Sequence, residues 1–220
     1  MKTAIIIGAT GLVGSHLTRQ LLEDEHYDKV KIFVRRSPNI THKKLVTHIV
    51  NFDDIQFWKK HLTGDELFSA MGTTIKKAGS QAAQYQIDFS YQYDVAKAAA
   101  DNCVKQFVLV SSAGADSCSK NFYLRMKGEL EDAVAGLIFK RIIIFKPSIL
   151  AGKRSERRIM ESIGIGATYL FTTVLPFIKK YRPIKGATVA AAMINAANLD
   201  ITEKISEYSL NQIFSIAKLL

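Results

Sequence analysis

Two cysteines, Cys103 and Cys118, are all that the 220 residues contain. That excludes a disulfide-stapled scaffold and points to a reducing cytoplasm. Five histidines (His16, His26, His42, His48, His61) show neither H-x-x-x-H nor Cys–His spacing, so no metal site is expected. Cys118 has no histidine or carboxylate constellation to make it a nucleophile. The lack of a G-x-S-x-G elbow leaves a hydrolase without an anchor. Repeats, low-complexity tracts and Pro/Ser-rich linkers are also missing. The most continuously apolar stretch, 163–178, runs 16 residues and carries Pro176, short of the roughly 20 needed to span a bilayer. It reads as a buried helix or a pocket wall. Met1-Lys2-Thr3 leaves no room for a signal peptide ahead of the first strand.

With 48% hydrophobic and 23% charged residues, the chain has the composition of an ordinary soluble domain. Its net charge of +10 is uneven. Window 151–185 holds Lys153, Arg154, Arg157, Arg158, Lys179, Lys180, Arg182 and Lys185 against Glu156 and Glu161. This reads either as a solvated basic face or as attraction for an anionic or lipid-like partner. No recognised nucleic-acid module accompanies the charge, so no nucleic acid is expected.

Strand and helix signals alternate along the chain. The pattern predicts strands at 2–7, 29–34, 48–52, 67–71, 107–111 and 141–145, and helices at 12–25, 55–62, 94–102 and 123–134. Strands joined by helices imply right-handed crossovers and a parallel sheet covered on both faces. The expected architecture is therefore α/β, a doubly wound parallel sheet of Rossmann type. After Pro147 the rhythm breaks, and helices are expected at 155–178, 188–198 and 211–219. One domain spanning 1–220 is expected, its portion 147–220 shaping the substrate side.

Three local patterns carry chemistry. Gly8-Ala9-Thr10-Gly11-Leu12-Val13-Gly14 follows the apolar run Ala4-Ile5-Ile6-Ile7, a strand–turn–helix arrangement that sets a pyrophosphate on a helix N-terminus. Gly8 permits the tight turn, Gly11 close approach of the backbone to phosphate, and Gly14 close helix packing, while Thr10 can cap amides or touch phosphate. No Gly-Lys-Ser/Thr follows, which excludes a Walker loop. The second strand ends Arg35-Arg36-Ser37 with no carboxylate for a ribose 2′-hydroxyl. Two guanidiniums suit a 2′-phosphate, so the expected cofactor is NADP(H). Finally, Tyr123 and Lys127 lie four apart on one helix face, after a strand ending in Ser111-Ser112. A lysine beside a phenol favours proton exchange with a carbonyl or alcohol, and a serine hydroxyl can polarise the substrate oxygen.

With these residues in view, the chain resembles an atypical short-chain dehydrogenase/reductase. It is similar to the subgroup of the Tat-interacting tumour suppressor and its bacterial relatives. The resemblance rests on the glycine turn, Met71-Gly72-Thr73-Thr74, Leu109-Val110-Ser111-Ser112-Ala113-Gly114-Ala115-Asp116, Tyr123–Lys127 with Gly128-Glu129-Leu130-Glu131, and Lys146-Pro147-Ser148-Ile149-Leu150. It implies Tyr123 as proton donor, Lys127 as its partner and Ser112 as the polarising hydroxyl, with Ser111 as substitute if the loop tilts. It implies that Gly8, Thr10, Gly11, Leu12, Val13 and Gly14 lie under the cofactor. Asn51 and Phe52 would approach the adenine, Gly72 and Thr73 the ribose region, and Pro147, Ile149 and Leu150 the nicotinamide. The expected activity is hydride transfer on a small carbonyl or alcohol; the alternative is an NADP(H)-binding regulator without turnover.

Overall fold

The computed structural model describes residues 1–151 and 183–219. The predicted helix at 155–178, the apolar stretch 163–178 and almost all of the basic window lie outside the described residues.

Seven strands form one sheet in the order β3-β2-β1-β4-β5-β6-β9, every pair parallel. They are β1 Lys2–Ile7, β2 Tyr27–Val34, β3 Leu45–Ile49, β4 Glu66–Ser69, β5 Gln106–Val110, β6 Arg141–Lys146 and β9 Ile205–Ser209. A two-stranded ladder pairs β7 Leu150–Ala151 with β8 Ile184–Lys185. The helices are α1 Gly14–Glu23, α2 Ile55–Trp58, α3 Ile75–Ala78, α4 Gln81–Tyr85, α5 Tyr91–Asp101, α6 Phe122–Ala135, α7 Gly186–Asn198 and α8 Asn211–Ile216. A π-helical turn, Gln86–Ser90, joins α4 to α5.

Alternation along each strand builds two cores. Ala4 and Ile6 of β1, with Ile143 and Phe145 of β6, pack against Leu17 and Leu21 of α1 and Val189 and Met193 of α7. Ile5, Ile7, Ile142 and Ile144 face the other way, onto Val95 and Ala99 of α5 and Leu130 and Val134 of α6. Runs such as Ala4-Ile5-Ile6-Ile7 are apolar throughout because both faces are covered. Strand order reverses between β1 and β4, which opens a crevice at the carboxyl ends of those strands.

Two sequence expectations need correction. The third strand starts at Leu45 and ends at Ile49, three residues ahead of the predicted 48–52, because its register runs from Val30↔Leu45 to Val34↔Ile49 and ends with β2. The second concerns the tail beyond Pro147, which contributes the seventh strand of the sheet and not helices alone. Ile-Ser-Glu-Tyr-Ser is an edge strand whose one inward aromatic, Tyr208, packs on Phe145, too little apolar content to register as a strand.

At the amino ends of the strands, away from the crevice, a buried polar cluster ties β1, β2, β4 and α7. Tyr27 donates to Glu66 at 2.5 Å, and Lys2 donates to Glu66 at 2.7 Å and to Asn198 at 2.8 Å. Burial raises both the Glu66 carboxyl and the Tyr27 phenol, the latter well above its ordinary value.

Candidate functional site

The glycine turn sits at the strand-order reversal. Gly8 has φ +77°, and a β-carbon there would lie 2.4 Å from the Ala70 carbonyl carbon at the end of β4. Both the backbone angle and the neighbouring strand therefore demand glycine. A β-carbon on Gly14 would lie 2.0 Å from the Gly8 carbonyl oxygen, and one on Gly186 would lie 2.5 Å from that of Leu12. The start of α7 thus packs on the turn. The Gly11 amide donates to the Gly8 carbonyl at 2.9 Å. Val13, the residue capping α1, offers no side-chain acceptor to the first amides of that helix, and Thr10 is exposed beside them. The Ser15 amide already donates to the Gly11 carbonyl at 3.0 Å and that of Leu17 to the Val13 carbonyl at 2.9 Å, and a helix start without a side-chain cap suits an anionic ligand group.

Arg35 and Arg36 leave the end of β2 exposed, and neither forms an ion pair or hydrogen bond among the described residues. Asn51 is committed locally: its Oδ1 accepts the Asp53 N–H at 3.3 Å and its Nδ2 donates to Asp54 at 2.7 Å. The Phe52 ring is buried against Trp58 and Tyr91, so only its backbone is available to a nucleotide. Tyr91 donates to Asp53, and burial with that bond pushes the phenol up to about 12, while Arg35 opposes the shift.

Beyond β5 the two serines diverge. Ser111 is buried and donates to Glu131, whereas Ser112 is half-buried with only a 3.5 Å contact to the Ala113 carbonyl. Of the two hydroxyls, that of Ser112 is the less committed. The Ala113 amide donates to the Pro147 carbonyl at 2.9 Å, setting the Pro147 loop beside it. Ile149 is exposed and Leu150 opens the small β7–β8 ladder.

Helix α6 is capped by Asn121, whose Oδ1 accepts the amides of Tyr123 and Leu124. Tyr123, Lys127 and Glu131 then fall at successive i, i+4 positions on one stripe. Tyr123 is 37% exposed, Lys127 only 3%. Glu131 meets Ser111 and pairs with Lys146 at 2.9 Å, which also reaches Glu207 at 2.7 Å. Burial pushes the Glu131 carboxyl up against the pull of Ser111 and Lys146. Burial would lower the Lys146 ammonium, but Glu207 and Glu131 hold it above its ordinary value. The segment between Ser112 and Tyr123 folds back on α6, so closely that a β-carbon on Gly128 would lie 2.1 Å from the Ser117 nitrogen.

Behind Gly72 and Thr73, at the end of β4, lies a group that the sequence did not single out. Asp88, in the π turn, is 1% exposed and accepts the Thr73 N–H at 2.7 Å. Its helix reads in sequence only from residue 94, so the π turn is not visible there. Glu131, Lys146 and Gly128 stand in the sequence only as members of longer motifs, because their partners are distant in the chain.

Over residues 8–142 the chain matches the family model described as NAD(P)H-binding. It is 34% identical over 213 residues to "Protein FMP52, mitochondrial" of Coccidioides immitis (strain RS), covering 89% of this chain and 85% of that protein. With "Protein FMP52-1, mitochondrial" of Scheffersomyces stipitis it shares 36% over 202 residues, 89% and 88% of the two chains. Neither relative bears the name of the Tat-interacting subgroup. Among solved structures, MoeE5 in complex with UDP-glucose and NAD superposes with TM-score 0.69 at 14% identity, covering 98% of this chain and 80% of that one. A short-chain dehydrogenase/reductase superfamily protein from Agrobacterium tumefaciens with bound NAD gives 0.70 at 13% identity, covering 94% and 77%. These two share the fold. The relatives' mitochondrial names overturn the expectation of a cytoplasmic protein. Scarce cysteine argues against an oxidising compartment but does not choose among reducing ones.

Proposed function

Since the chain belongs to the NAD(P)H-binding family, we propose that it is an atypical short-chain dehydrogenase/reductase, an NADP(H)-dependent oxidoreductase acting on a small carbonyl or alcohol. The observation that carries this reading is the stripe on α6, with Tyr123 open to a substrate and the Lys127 ammonium buried one turn below it. The residues fit the cofactor: a turn that tolerates no β-carbon, helix amides without a side-chain cap, and two arginines free of acidic partners among the described residues. When bound, the nicotinamide supplies or accepts the hydride. Gly8 to Gly14 would hold the pyrophosphate, Arg35 and Arg36 the 2′-phosphate, Gly72 and Thr73 the ribose region, and the 147–150 loop the nicotinamide face. Ser112 would hold the substrate oxygen by hydrogen bonding, and Tyr123 would donate the proton to it in reduction. The 147–220 portion would wall the substrate side of the same domain. The relatives' names support a mitochondrial setting for this chain as well.

The test is NADPH oxidation followed by absorbance with a panel of small aldehydes and ketones, neutral, anionic and lipid-like. Consumption with at least one class is expected. Binding of NADPH without turnover of any panel member would overturn the enzyme reading and leave a nucleotide-binding regulator. The cofactor choice has its own check: Arg35→Ala with Arg36→Ala is expected to weaken NADPH binding by about 1–3 kcal/mol, the loss of charge-assisted hydrogen bonds, with NADH binding nearly unchanged. Calorimetric titration reads this directly, and a wild type that binds NADH as tightly as NADPH would contradict it.

A further inference from the structure

We propose that Glu131 is a positioning residue for the site: its carboxylate clamps the end of β5 to the end of β6 and so fixes Ser112 and the Pro147 loop relative to each other. The proposal rests on the reading of Ser112 and the 147–150 loop given above and adds a residue to it.

The clamp sits at a missing rung of the sheet. Strands β5 and β6 pair in parallel register up to Val110↔Phe145, and the ladder runs on past them. The Ser111 N–H donates to the Phe145 carbonyl at 2.8 Å, and the Ala113 N–H to the Pro147 carbonyl at 2.9 Å. Continued by one residue, the register sets Ser111 beside Lys146. In a parallel ladder the N–H that returns to the Ser111 carbonyl then belongs to residue 147. That residue is Pro147, which has no N–H to give. The two strands therefore lose a backbone bond where each runs into a loop of the site.

Side chains take its place. Leu109 of β5 and Ile142 and Ile144 of β6 face α6, and alternation turns Ser111 and Lys146 the same way. Glu131 of α6, 8% exposed, meets both. Its Oε1 accepts the Ser111 hydroxyl, and its Oε2 lies 2.9 Å from the Lys146 ammonium. Each carboxylate oxygen thus holds a different strand. Glu207 of β9, paired with Ile144, reaches the same ammonium at 2.7 Å from the edge of the sheet.

Stability alone gives no reason for such a group. A buried ion pair replaced by apolar side chains of similar volume often leaves a protein as stable or more so. The layer around Glu131 is already apolar, with Leu130, Val134, Ile142 and Ile144 in one cluster. What an apolar residue cannot do is fix direction, whereas charge-assisted hydrogen bonds set both distance and angle. The residues so fixed, Ser111 and Lys146, are the immediate neighbours of Ser112 and Pro147. The Ser112 hydroxyl itself makes a 3.5 Å contact to the Ala113 carbonyl, too long to hold it. Its place follows from the backbone on either side.

Two measurements test this independently. Lys146→Met breaks the clamp and Lys146→Arg keeps it. With NADPH and a carbonyl that the wild type reduces, Lys146→Met and Glu131→Gln are each expected to lower kcat about tenfold to a hundredfold, since a misplacement of about 1 Å costs up to about a hundredfold. NADPH affinity should stay within about threefold, and Lys146→Arg should keep kcat within about threefold of wild type. A Met variant at the wild-type rate, or an Arg variant as slow as the Met variant, overturns the proposal. The second measurement needs no turnover: amide hydrogen exchange in nucleotide-free protein. The Ala113 amide is expected to exchange at least about tenfold faster in Lys146→Met and Glu131→Gln than in wild type, with the amides of β1 and β2 unchanged. A merely structural contact would speed all of these amides together or none, and either result overturns the proposal. Should Glu131→Gln fail to fold, the two Lys146 variants decide by both readouts. If the wild type turns over no carbonyl, the function proposed above fails while exchange at Ala113 still decides the clamp.

Discussion

Tyr123→Phe is expected to lower carbonyl turnover by about 10²–10⁴-fold, the range general acid catalysis contributes, with NADPH affinity within about threefold of wild type. In activation free energy that is about 3–5 kcal/mol lost from the transition state. The phenol leaves α6 in its first turn, partly in solvent, and forms no hydrogen bond among the described residues. Removing its oxygen therefore leaves no buried group unpaired, and fold stability should barely change. That separation makes the substitution informative, because lost turnover with an unchanged melting curve and unchanged nucleotide binding isolates the proton transfer. A Phe variant that reduces the same carbonyl at the wild-type rate would show that another group donates the proton.

Gly14→Ala is expected to destabilise the protein by about 3 kcal/mol or more, although helix propensity alone predicts a gain of about 1 kcal/mol for alanine over glycine in a helix. The two effects have opposite signs, and geometry decides between them. The added methyl would lie 2.0 Å from the Gly8 carbonyl oxygen and 2.7 Å from its carbon, both backbone atoms with no rotamer to relieve the overlap. Gly8 cannot retreat, since its own position is set against the end of β4. Either α1 must tilt away from the turn or the turn must open, and both disturb the amides at the start of the helix. At about 2–4 °C per kcal/mol for a chain of this size, the melting temperature should fall by roughly 6–12 °C. NADPH affinity should fall with it. A melting temperature at or above wild type would mean that the turn relaxes freely and the contact carries no stability.

Much of the sheet was legible in the chain. The first strand was read at its observed bounds, 2–7, because an unbroken apolar run ending in glycine leaves few alternatives. The reading of helix α6 falls within one residue of its bounds at each end, since apolar residues return at helical spacing. Legibility failed where an element depends on a partner. The third strand follows the register of β2, and the seventh is a short polar edge whose pairing with β6 brings together residues more than sixty positions apart. The candidate site divides along the same line. Local patterns showed which residues carry suitable chemistry, whereas the polar partners that hold them arrive from other elements.

By itself, the sequence determined the strand–turn–helix at the amino end, the arginine pair after the second strand, and the Tyr123–Lys127 spacing. Each is written within a few residues, where bond geometry and side-chain period leave little freedom. Tertiary structure alone decided which of two adjacent serines is free, because Glu131 reaches Ser111 from α6 and leaves Ser112 uncommitted. It alone brought Asp88 beneath Gly72 and Thr73. The reason is physical: a buried charge is defined by what surrounds it, and its surroundings come from segments that meet only when the sheet closes over them.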